Sequence, residues 1–355
     1  MPLYIDLHEV DSDTFSIEDA YEAHFKDLTI QKKHGVTYHK YWISIDTKMS
    51  FCLMEGPNKV ACRTVHLESH GLTACNIIEI SDKEFNLYLG MGNKDQHDLA
   101  LTPKGEVDIG FRTLVQTDVL AFSENYKDLV RPFEKKITQN FGTSVLEPNG
   151  SFTASFIYPA DAVSYASEIL TVLGDSLNIL DVRVGIVTGK PVDRDGSIPF
   201  EKARRQLKLI NTFGRSGVMN LDFATRSHLL KTRAAHKIHG NAVIFDENNF
   251  LLSEMLFQII NDSIRDSSFN VEKLAYELGF SKAQAYRKIK ALTGMSPNIL
   301  IREMRLRRSL SALKKNGKTV AEIAYDLGFN SPTYFTRVFR NRYAVLPTSF
   351  AKLNA

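Results

Sequence analysis

Histidine is concentrated near the start of the chain, where six of the ten histidines lie within the first 70 residues. His66 and His70 are four residues apart on a predicted helix, so both imidazoles project from one face and can bind a single ion. His24 lies on the apolar side of a second predicted helix that would neighbour the first. We therefore predict a metal site. Its predicted ligands are His24, His66 and His70, and the further candidates are Asp27, His39 and Cys52.

These residues do not choose the metal, because imidazole suits nickel, zinc and copper alike. The alternative is that His66 and His70 are a solvated pair and that His24 is a hydrogen-bonded core histidine. The pattern AHFKDL…YHKYW…FCLMEGP…VHLESHG resembles a family of small bacterial ferredoxin-like proteins described as nickel-binding. The resemblance covers nearly the whole segment, and it implies nickel or another divalent transition metal held mainly by histidine.

The last third of the chain is basic and contains a repeat. Residues 251–355 contain 17 Lys and Arg against 8 Asp and Glu, a net charge of +9, whereas the preceding residues carry −6. VEKLAYELGF begins at Val271 and VAEIAYDLGF begins at Val320. In the first copy Gly279 ends a short predicted helix and Ser281 caps the next one. The pattern predicts two helix-turn-helix units, and their charge favours a polyanion as the partner.

In each unit, the second predicted helix has apolar residues at a period of three to four, which marks its buried face. We place Tyr286 and Ile289 of the first unit, and Phe335 and Val338 of the second, in the core. The predicted DNA-facing residues of the first unit are Lys282, Ala283, Gln284, Arg287 and Lys288. Those of the second unit are Pro332, Thr333, Thr336, Arg337 and Arg340. Arginine and glutamine can read base edges, while lysine and threonine mostly bind phosphates.

The alternative is an αα repeat that docks proteins, with its charges only solvated. Against it, ELGFSKAQAYRKIKALTGMSPNILIREMRLRRS and TVAEIAYDLGFNSPTYFTRVFR resemble the AraC-type DNA-binding domain throughout its length. One departure is Ala344, where the second unit usually has glycine. The resemblance implies two units joined by a long helix, with both recognition helices in successive major grooves of double-stranded DNA.

A third set of motifs lies in the middle of the chain. LVQTDVLAF, VRVGIVTGKPV and PFEKARRQL resemble the catalytic domain of class III nucleotide cyclases, which implies two Mg²⁺ ions held by two carboxylates. The resemblance places Asp118 at the first carboxylate and Arg204 at the transition-state arginine. It also places Gly150 at the second carboxylate and Phe200 at the transition-state asparagine, so both of these groups are missing.

Losing one of the two metal carboxylates should cost several kcal/mol of transition-state stabilisation. We therefore predict a cyclase-like fold without enzyme activity, which can still bind a small ligand or serve in dimerisation. Asp118 can also be read as a helix cap. The alternative function is an active class III nucleotide cyclase regulated by the attached DNA-binding domain.

The predicted elements place these groups in three domains. Residues 1–90 and residues 108–235 each have the order βαββαβ, which is the ferredoxin-like pattern, and residues 91–108 read as a polar linker. Residues 250–355 read as helical. The predicted fold class is an α+β N-terminal half with two tandem ferredoxin-like domains, plus an all-α C-terminal double helix-turn-helix domain. Such small sheets often cover one open face by dimerising, so we expect a homodimer.

Composition is ordinary for a globular protein, with 43% apolar and 24% charged residues. The sequence has no apolar run near 18 residues and no signal-peptide pattern, so we expect no membrane span. Three cysteines argue against a disulfide framework. We therefore expect a cytoplasmic transcription regulator whose DNA affinity responds to a metal or small-molecule effector.

Overall fold

The computed structural model describes residues 1–120, 126–146, 151–174, 181–238, 242–315 and 317–353. The chain forms two compact units. The first comprises Met1–Val119, Arg131–Lys208 and Gly217–Ile244, and the second comprises Leu120–Val130, Leu209–Ser216 and Phe245–Ala355. None of the helices in these described ranges is long and apolar enough to cross a membrane.

The N-terminal domain is a four-stranded antiparallel sheet with two helices, in the predicted order βαββαβ. Its elements are β1 (Leu3–Glu9), α1 (Ile17–Ile30, followed by a 3-10 turn over Gln31–His34), β2 (Thr37–Ser44), β3 (Met49–Glu55), α2 (Lys59–Ser69) and β4 (Asn76–Ile80). The strands pair in the order β2-β3-β1-β4. Both helices begin at side-chain caps: Ser16 forms a capping box with Asp19, and the Asn58 side chain accepts from the Ala61 amide.

One face of this sheet packs against α1 and α2. Tyr4 of β1 belongs to the apolar core on that side, together with Met54 of β3 and Val65 of α2. Side chains along a strand alternate between its two faces, so Asp6 and His8 of β1 share the face of Tyr4. The fold therefore brings polar residues of the sheet into the layer that it shares with the two helices.

The opposite face of the sheet is covered by other parts of the same chain. α3 (Asp82–Tyr88) and the segment leading to the middle domain lie there. Trp42 and Phe51 are fully buried, and a Cβ added at Gly110 would lie 3.1 Å from each. The Trp42 indole N–H donates to Asp108 at 3.2 Å, and Asp108 also forms a buried ion pair with Arg112 at 2.7 Å.

The segment predicted as a linker is folded. Within it, β5 (Asn93–Lys94) pairs with β6 (Ala100–Leu101) as a short antiparallel hairpin. Leu99 and Ala100 are buried, and the Leu99 amide donates to the Asp95 carboxylate at 2.9 Å. The polar composition suggested a linker, but two apolar residues and one turn-forming aspartate are enough to attach the segment to the domain.

The middle domain is a six-stranded sheet. Its elements are β7 (Arg112–Leu120), α4 (Tyr126–Gln139), β8 (Thr143–Leu146), β9 (Phe152–Phe156), α5 (Pro159–Leu173), β10 (Asp181–Gly189), α6 (Glu201–Phe213), β11 (Met219–Asp222), α7 (Phe223–Lys231), a 3-10 turn (Ala235–Lys237) and β12 (Ala242–Phe245). The strand order is β12-β11-β10-β7-β9-β8, with β10 and β11 parallel. The elements from β7 to β10 have the predicted order βαββαβ, and α6, β11, α7 and β12 follow them.

The C-terminal part of the chain is helical, as predicted. Its helices are α8 (Glu247–Ser263), α9 (Val271–Glu277), α10 (Lys282–Thr293), α11 (Pro297–Lys314), α12 (Val320–Asp326), α13 (Pro332–Tyr343) and α14 (Pro347–Leu353). Side-chain caps start all four short helices of the repeat. These caps are Asn270 and Ser281 in the first unit and Thr319 and Ser331 in the second. The mixed α+β fold with a helical C-terminal region is therefore confirmed.

Candidate functional sites

Asp27, His66 and His70 form a compact group where α1 meets α2. One potential ligand atom from each residue lies within 4.8 Å of the other two. His66 Nδ1 is 3.0 Å from Asp27 Oδ2, and His70 Nε2 is 3.4 Å from Asp27 Oδ1. The structure thus brings together the two histidines that the spacing on α2 paired, and α1 contributes a carboxylate.

A second group lies beside the first, on the sheet. Asp6 and His8 of β1 and Cys52 of β3 also place one potential ligand atom each within 4.8 Å of one another. Asp6 Oδ2 is 2.7 Å from His66 Nε2 and 3.1 Å from His8 Nε2. His66 therefore lies between the carboxylates of Asp6 and Asp27 and joins the two groups. We call these residues the polar cluster: Asp6, His8, Asp27, Cys52, His66 and His70.

Burial and these contacts set the ionisation of the polar cluster. Burial alone would lower the pKa of His66, but hydrogen bonds to Asp27 and Asp6 raise this pKa to about 10. Burial opposes ionisation of Asp6 and Asp27 as well, yet the neighbouring histidines hold the pKa of both carboxyl groups well below the usual range. Burial, followed by the charges of the two aspartates, raises the pKa of the Cys52 thiol. The His66 imidazolium thus neutralises part of a buried negative charge.

His24 is buried, but the structure does not bring it together with His66 and His70. Its Nε2 is 3.3 Å from Asp98 Oδ2, and its ring centroid is 4.7 Å from that of Tyr41. His24 lies about one turn before Asp27 on α1, and at that level its partner comes from the turn between β5 and β6. Asp27 lies beside His66 and His70, where we had predicted His24. Which side of α1 faces α2 depends on the rotation of α1 about its axis, and tertiary packing sets that rotation.

The other candidates divide in the same way. Cys52 belongs to the polar cluster, whereas His39 lies beside Glu55, with 3.8 Å between Nε2 and Oε1. The pairing of β2 with β3 shifts register between Tyr38 and Lys40, which separates His39 from the regular alternation. Asp6 and His8 were not among the predicted ligands, although a D-x-H pair on a strand points both side chains to one face.

The donor set of the polar cluster fits a divalent transition metal. Imidazole nitrogens suit nickel, copper and zinc, carboxylates add hard donors, and the Cys52 thiol adds a soft one. Asp6, Asp27 and His66 are buried, so a cation beside them would be only weakly screened by water. The two ionised carboxylates also match the charge of a divalent ion.

The positions that resemble cyclase residues have other contacts. Asp118 lies on β7, where its carboxylate accepts from the Gln116 amide at 3.3 Å. Gly150 lies outside the described residues. The buried Phe200 ring lies 4.9 Å from that of Tyr88, and Arg204 Nη1 is 3.5 Å from a carboxylate oxygen of Glu84. Phe200 and Arg204 therefore both contact α3.

The two helix-turn-helix units differ by one residue in the turn. The caps of their first helices, Asn270 and Thr319, are 49 residues apart, whereas the caps of their second helices, Ser281 and Ser331, are 50 apart. Asn330 is the additional residue. A constant offset of 49 therefore assigns the wrong partners along the second helices.

The corrected register changes which side chains are buried. Phe335 of α13 is fully buried and corresponds to the buried Ala285 of α10, whereas Tyr286 is 44% exposed. The prediction that Tyr286 belongs to the core is wrong. Its hydroxyl instead lies 3.3 Å from the ammonium group of Lys290, which is also exposed. Both residues lie on the exposed surface of α10, and neither was among the predicted DNA-facing residues.

The predicted DNA-facing residues of α10 lie on its exposed surface, but some have protein partners. Lys282 pairs with Glu272 at 2.5 Å. The Gln284 side chain accepts from the Ser281 amide at 3.0 Å and so completes the helix cap. Lys288 lies over the ring of Phe280 at 5.1 Å. Ala283 and Arg287 are exposed.

In the second unit the predicted residues lie on the outer side of α13. Thr333, Arg337 and Arg340 are exposed, and Pro332 and Thr336 are half-buried. The Arg337 guanidinium lies over the ring of Tyr334 at 5.3 Å. In the corrected register, Arg337 corresponds to Arg287 and Arg340 corresponds to Lys290. The two helices therefore present positive charge at the same two positions.

Comparisons with known proteins match both ends of the chain. Residues 4–80 match the model of the family "Nickel responsive protein SCO4226-like", and residues 274–353 match a model of the helix-turn-helix domain. The first match contains the whole polar cluster, and the second contains α10 and α13, the second helices of the two helix-turn-helix units. The solved structure of SCO4226 from Streptomyces coelicolor is 28% identical, covers 22% of this chain and 94% of that chain, and has a TM-score of 0.21.

Two curated relatives share part of the sequence. "Histidine kinase P4" of Formosa agariphila is 34% identical over 154 residues, which is 43% of this chain and 11% of the relative. "HTH-type transcriptional regulator MtrA" of Neisseria gonorrhoeae is 33% identical over 97 residues, which is 27% of this chain and 32% of the relative. This chain therefore spans about a tenth and a third of their lengths. Its N-terminal domain is similar to the SCO4226-like family, which is described as nickel responsive, and its C-terminal region is similar to a helix-turn-helix domain family.

Proposed function

We propose that the protein is a transcription regulator of AraC type that binds double-stranded DNA through α10 and α13 and binds nickel, or another divalent transition metal, in its N-terminal domain. The observation that carries the proposal is the exposure of arginine at one equivalent position of each reading helix, Arg287 and Arg337. Arginine is the side chain that pairs most often with guanine in the major groove. Two such helices can read adjacent turns of DNA.

The reading surface of each helix follows from exposure. On α10, Ala283, Tyr286 and Arg287 are the side chains available to base edges, while Lys282, Lys288 and Lys290 favour phosphates. On α13, Thr333, Thr336 and Arg337 play the first role and Arg340 the second. Gln284 is engaged as a cap, so we assign it to positioning of α10 and not to base reading. The sequences of the two surfaces differ, so each monomer should recognise a non-palindromic site.

For the metal we infer that Asp27, His66 and His70 are the ligands, and that the His66 imidazolium releases one proton when its Nδ1 binds the ion. Asp6 lies on the other side of His66 and would orient its imidazole, as carboxylates commonly do for metal-bound histidines. When bound, the metal supplies a compact positive charge to a buried acidic site. Metal binding can change DNA affinity only if the ion prefers one of two arrangements of the protein.

We further infer that both sheets have ferredoxin-like topology. The supporting observation is that the first domain orders its strands β4-β1-β3-β2 and the middle domain orders its first four β10-β7-β9-β8. In each case the first and third strands of the βαββαβ unit lie at the centre. The resemblance of the middle domain to cyclases remains a prediction.

The DNA function is tested by selecting bound sequences from a random double-stranded pool, with and without Ni²⁺. We expect enrichment of an asymmetric site with two contact segments about one helical turn apart. A protein that binds the random pool and the selected pool equally would contradict sequence-specific regulation. An unchanged affinity on adding Ni²⁺ would contradict metal control while leaving DNA recognition in place.

The metal site is tested by calorimetric titration with Ni²⁺ and elemental analysis. His70→Ala should weaken binding strongly, because it removes a donor at the edge of the polar cluster. His66→Ala should do so as well, but it also leaves two buried carboxylates without their imidazolium partner and can unfold the domain. His97→Ala is the matched control, since His97 is exposed on the β5–β6 turn. Equal Ni²⁺ binding by wild type and His70→Ala would refute the site.

The alternative function, an active nucleotide cyclase, is separated by assaying cyclic nucleotide formation from ATP and GTP with Mg²⁺ and Mn²⁺. Turnover that Asp118→Ala abolishes would overturn the proposal that this chain acts only as a regulator.

We also propose a homodimer. Sedimentation with and without Ni²⁺ measures that state, and a monomer under DNA-binding conditions would contradict it.

A further inference from the structure

Arg305 of the long helix α11 forms hydrogen bonds within the protein. The Arg305 guanidinium donates to three backbone carbonyls at the end of α8 and in the loop that follows. Its Nε is 3.1 Å from the Ile264 oxygen, and its Nη2 is 2.8 Å from the Asp266 oxygen and 3.5 Å from the Phe269 oxygen. A planar guanidinium with several bonded donors has one orientation, so Arg305 ties α11 firmly to the end of α8.

The turn of the second helix-turn-helix unit is docked on the same place. Gly328 has φ of 77°, and a Cβ there would lie 2.7 Å from the Ile264 oxygen, 2.9 Å from Arg305 Nη2 and 3.1 Å from the Arg265 oxygen. No side chain fits in that space without displacing backbone. The second unit is therefore held against α8 by a backbone contact that requires glycine.

The equivalent turn of the first unit lacks this contact. Gly279 has φ of 69°, almost the same conformation, but a Cβ there would meet no atom of the described residues within 4 Å. Both turns therefore need the left-handed conformation of glycine, and only the second also needs its small size. The pair provides a matched control, because alanine imposes the same backbone strain at both positions.

The docked turn leads directly to the second reading helix. The Arg305 guanidinium carbon lies 5.9 Å from the centre of the Phe329 ring, and that ring lies 5.0 Å from the ring of Phe335 on α13. Phe335 is fully buried. A displacement at Gly328 would therefore be transmitted to α13 through packed side chains and not absorbed by a flexible loop.

We propose that this junction of Arg305, Gly328 and the carbonyls at the end of α8 sets the distance and angle between the two reading helices, and so determines the spacing between the two DNA segments that the protein recognises. Arg305 is a positioning residue that touches no base in this role. The proposal rests on the DNA-binding function proposed above. It adds that spacing is encoded at a site separate from the side chains that read base identity.

The test uses the full-length protein and the site selected by wild type, together with versions in which one base pair is added or removed between the two segments. Wild type and Gly279→Ala should discriminate against the altered spacings by about tenfold, a typical cost of one mismatched feature. Gly328→Ala and Arg305→Lys should lose most of this discrimination while keeping the base preference within each segment. Retained discrimination in both variants, or an equal loss in Gly279→Ala, would overturn the proposal.

A second measurement keeps the test independent of DNA and of poor folding by Gly328→Ala. Spin labels at Lys290→Cys and Arg340→Cys, in a Cys75→Ser background, report the distance between α10 and α13 in the free protein. Arg305→Lys should broaden or shift this distance distribution, and an unchanged distribution would overturn the proposal. If wild type selects no DNA site, the DNA-binding function fails, whereas the label distances still decide whether the junction positions the helices.

Discussion

The two helix-turn-helix units have the same arrangement of helices and caps, but they differ in the side chains of their cores and of their exposed surfaces. Both start their helices with side-chain caps and close the second helix with a left-handed residue, Gly294 in the first unit and Ala344 in the second. The second unit has one more residue in its turn, and its core contains a series of packed aromatic rings. These rings belong to Phe329, Phe335, Phe339, Tyr343 and Phe350.

The comparison shows that different residues determine the fold of the two units and the surfaces that they expose. The caps and glycines define where each helix begins and ends, and they recur because the geometry of the turn recurs. The buried and exposed side chains are free to differ, so the second unit fills its core with aromatics where the first has Ala285 and Ile289. On the outer surface, Tyr286 of the first unit corresponds to Thr336 of the second. The repetition thus preserves a frame that presents two different surfaces.

The largest expected effect concerns the aromatic core. Phe335→Ala should lower the free energy of unfolding of the second unit by about 3–5 kcal/mol, because it removes a fully buried ring and leaves a cavity. The equivalent change in the first unit, Ala285→Gly, should cost only about 1 kcal/mol through helix propensity. Chemical denaturation followed by circular dichroism measures both. Similar losses for the two variants would show that the units do not differ in core packing as described.

The next effect concerns the paired arginines. Arg287→Ala and Arg337→Ala should each weaken binding to the selected DNA by about 1–3 kcal/mol and relax base preference at one position, with the two positions in different segments. Lys314→Ala removes the same charge from the exposed end of α11 and serves as the control. Fluorescence anisotropy at fixed salt gives the affinities. If both arginine variants behave like Lys314→Ala, the reading surface has been misassigned.

A smaller effect concerns the helix ends. Ala344 has φ of 59°, a conformation that costs energy for any residue with a Cβ, whereas Gly294 has φ of 76° without that penalty. Ala344→Gly should therefore stabilise the protein by about 1 kcal/mol, and Gly294→Ala should destabilise it by about the same amount. Thermal unfolding measures both. Changes of the same sign in the two variants would contradict the equivalence of these positions.

The smallest effect concerns an exposed loop of the first unit. Hydrogen bonds from Ser268, and then from Lys273, lower the pKa of Asp266 to about 2. Because this pKa lies below that of the unfolded chain, the contribution to stability is present above the unfolded pKa and is lost as the pH falls through about 2. NMR titration should report the lowered pKa, and Ser268→Ala should raise it more than Lys273→Ala. The reverse order would mean that the lysine charge dominates.

Local sequence patterns predicted many of the helices and strands of this protein. Gly279 and Ser281 located the helix boundaries of the first helix-turn-helix unit, because a helix cap is a contact within four residues. The βαββαβ order predicted for the N-terminal domain is the order that the structure has. The errors arose where the outcome depended on distant parts of the chain. The sequence of residues 91–108 predicted a linker, but Leu99 and Ala100 are buried in the structure.

The candidate sites divide along the same line. The i, i+4 spacing was enough to pair His66 with His70, but it could not indicate that Asp6, sixty positions earlier, would bond the other side of His66. Likewise, the spacing of apolar residues defined a buried stripe on α13. The additional residue Asn330 then shifted the correspondence with α10 by one position, and only the observed burial of Phe335 and exposure of Tyr286 revealed it.

The sequence by itself determined the βαββαβ order of the N-terminal domain, the two helix-turn-helix units, the basic charge of the C-terminal third and the identity of the side chains available for metal and DNA. Tertiary structure alone decided which of them meet. Asp27 replaced His24 in the polar cluster because the rotation of α1 against α2 is set by packing over the whole domain. The arginines of α11 became partly structural because the carbonyls at the end of α8 lie within reach of Arg305. Contacts within one turn are encoded locally, whereas contacts between elements depend on how the whole core closes.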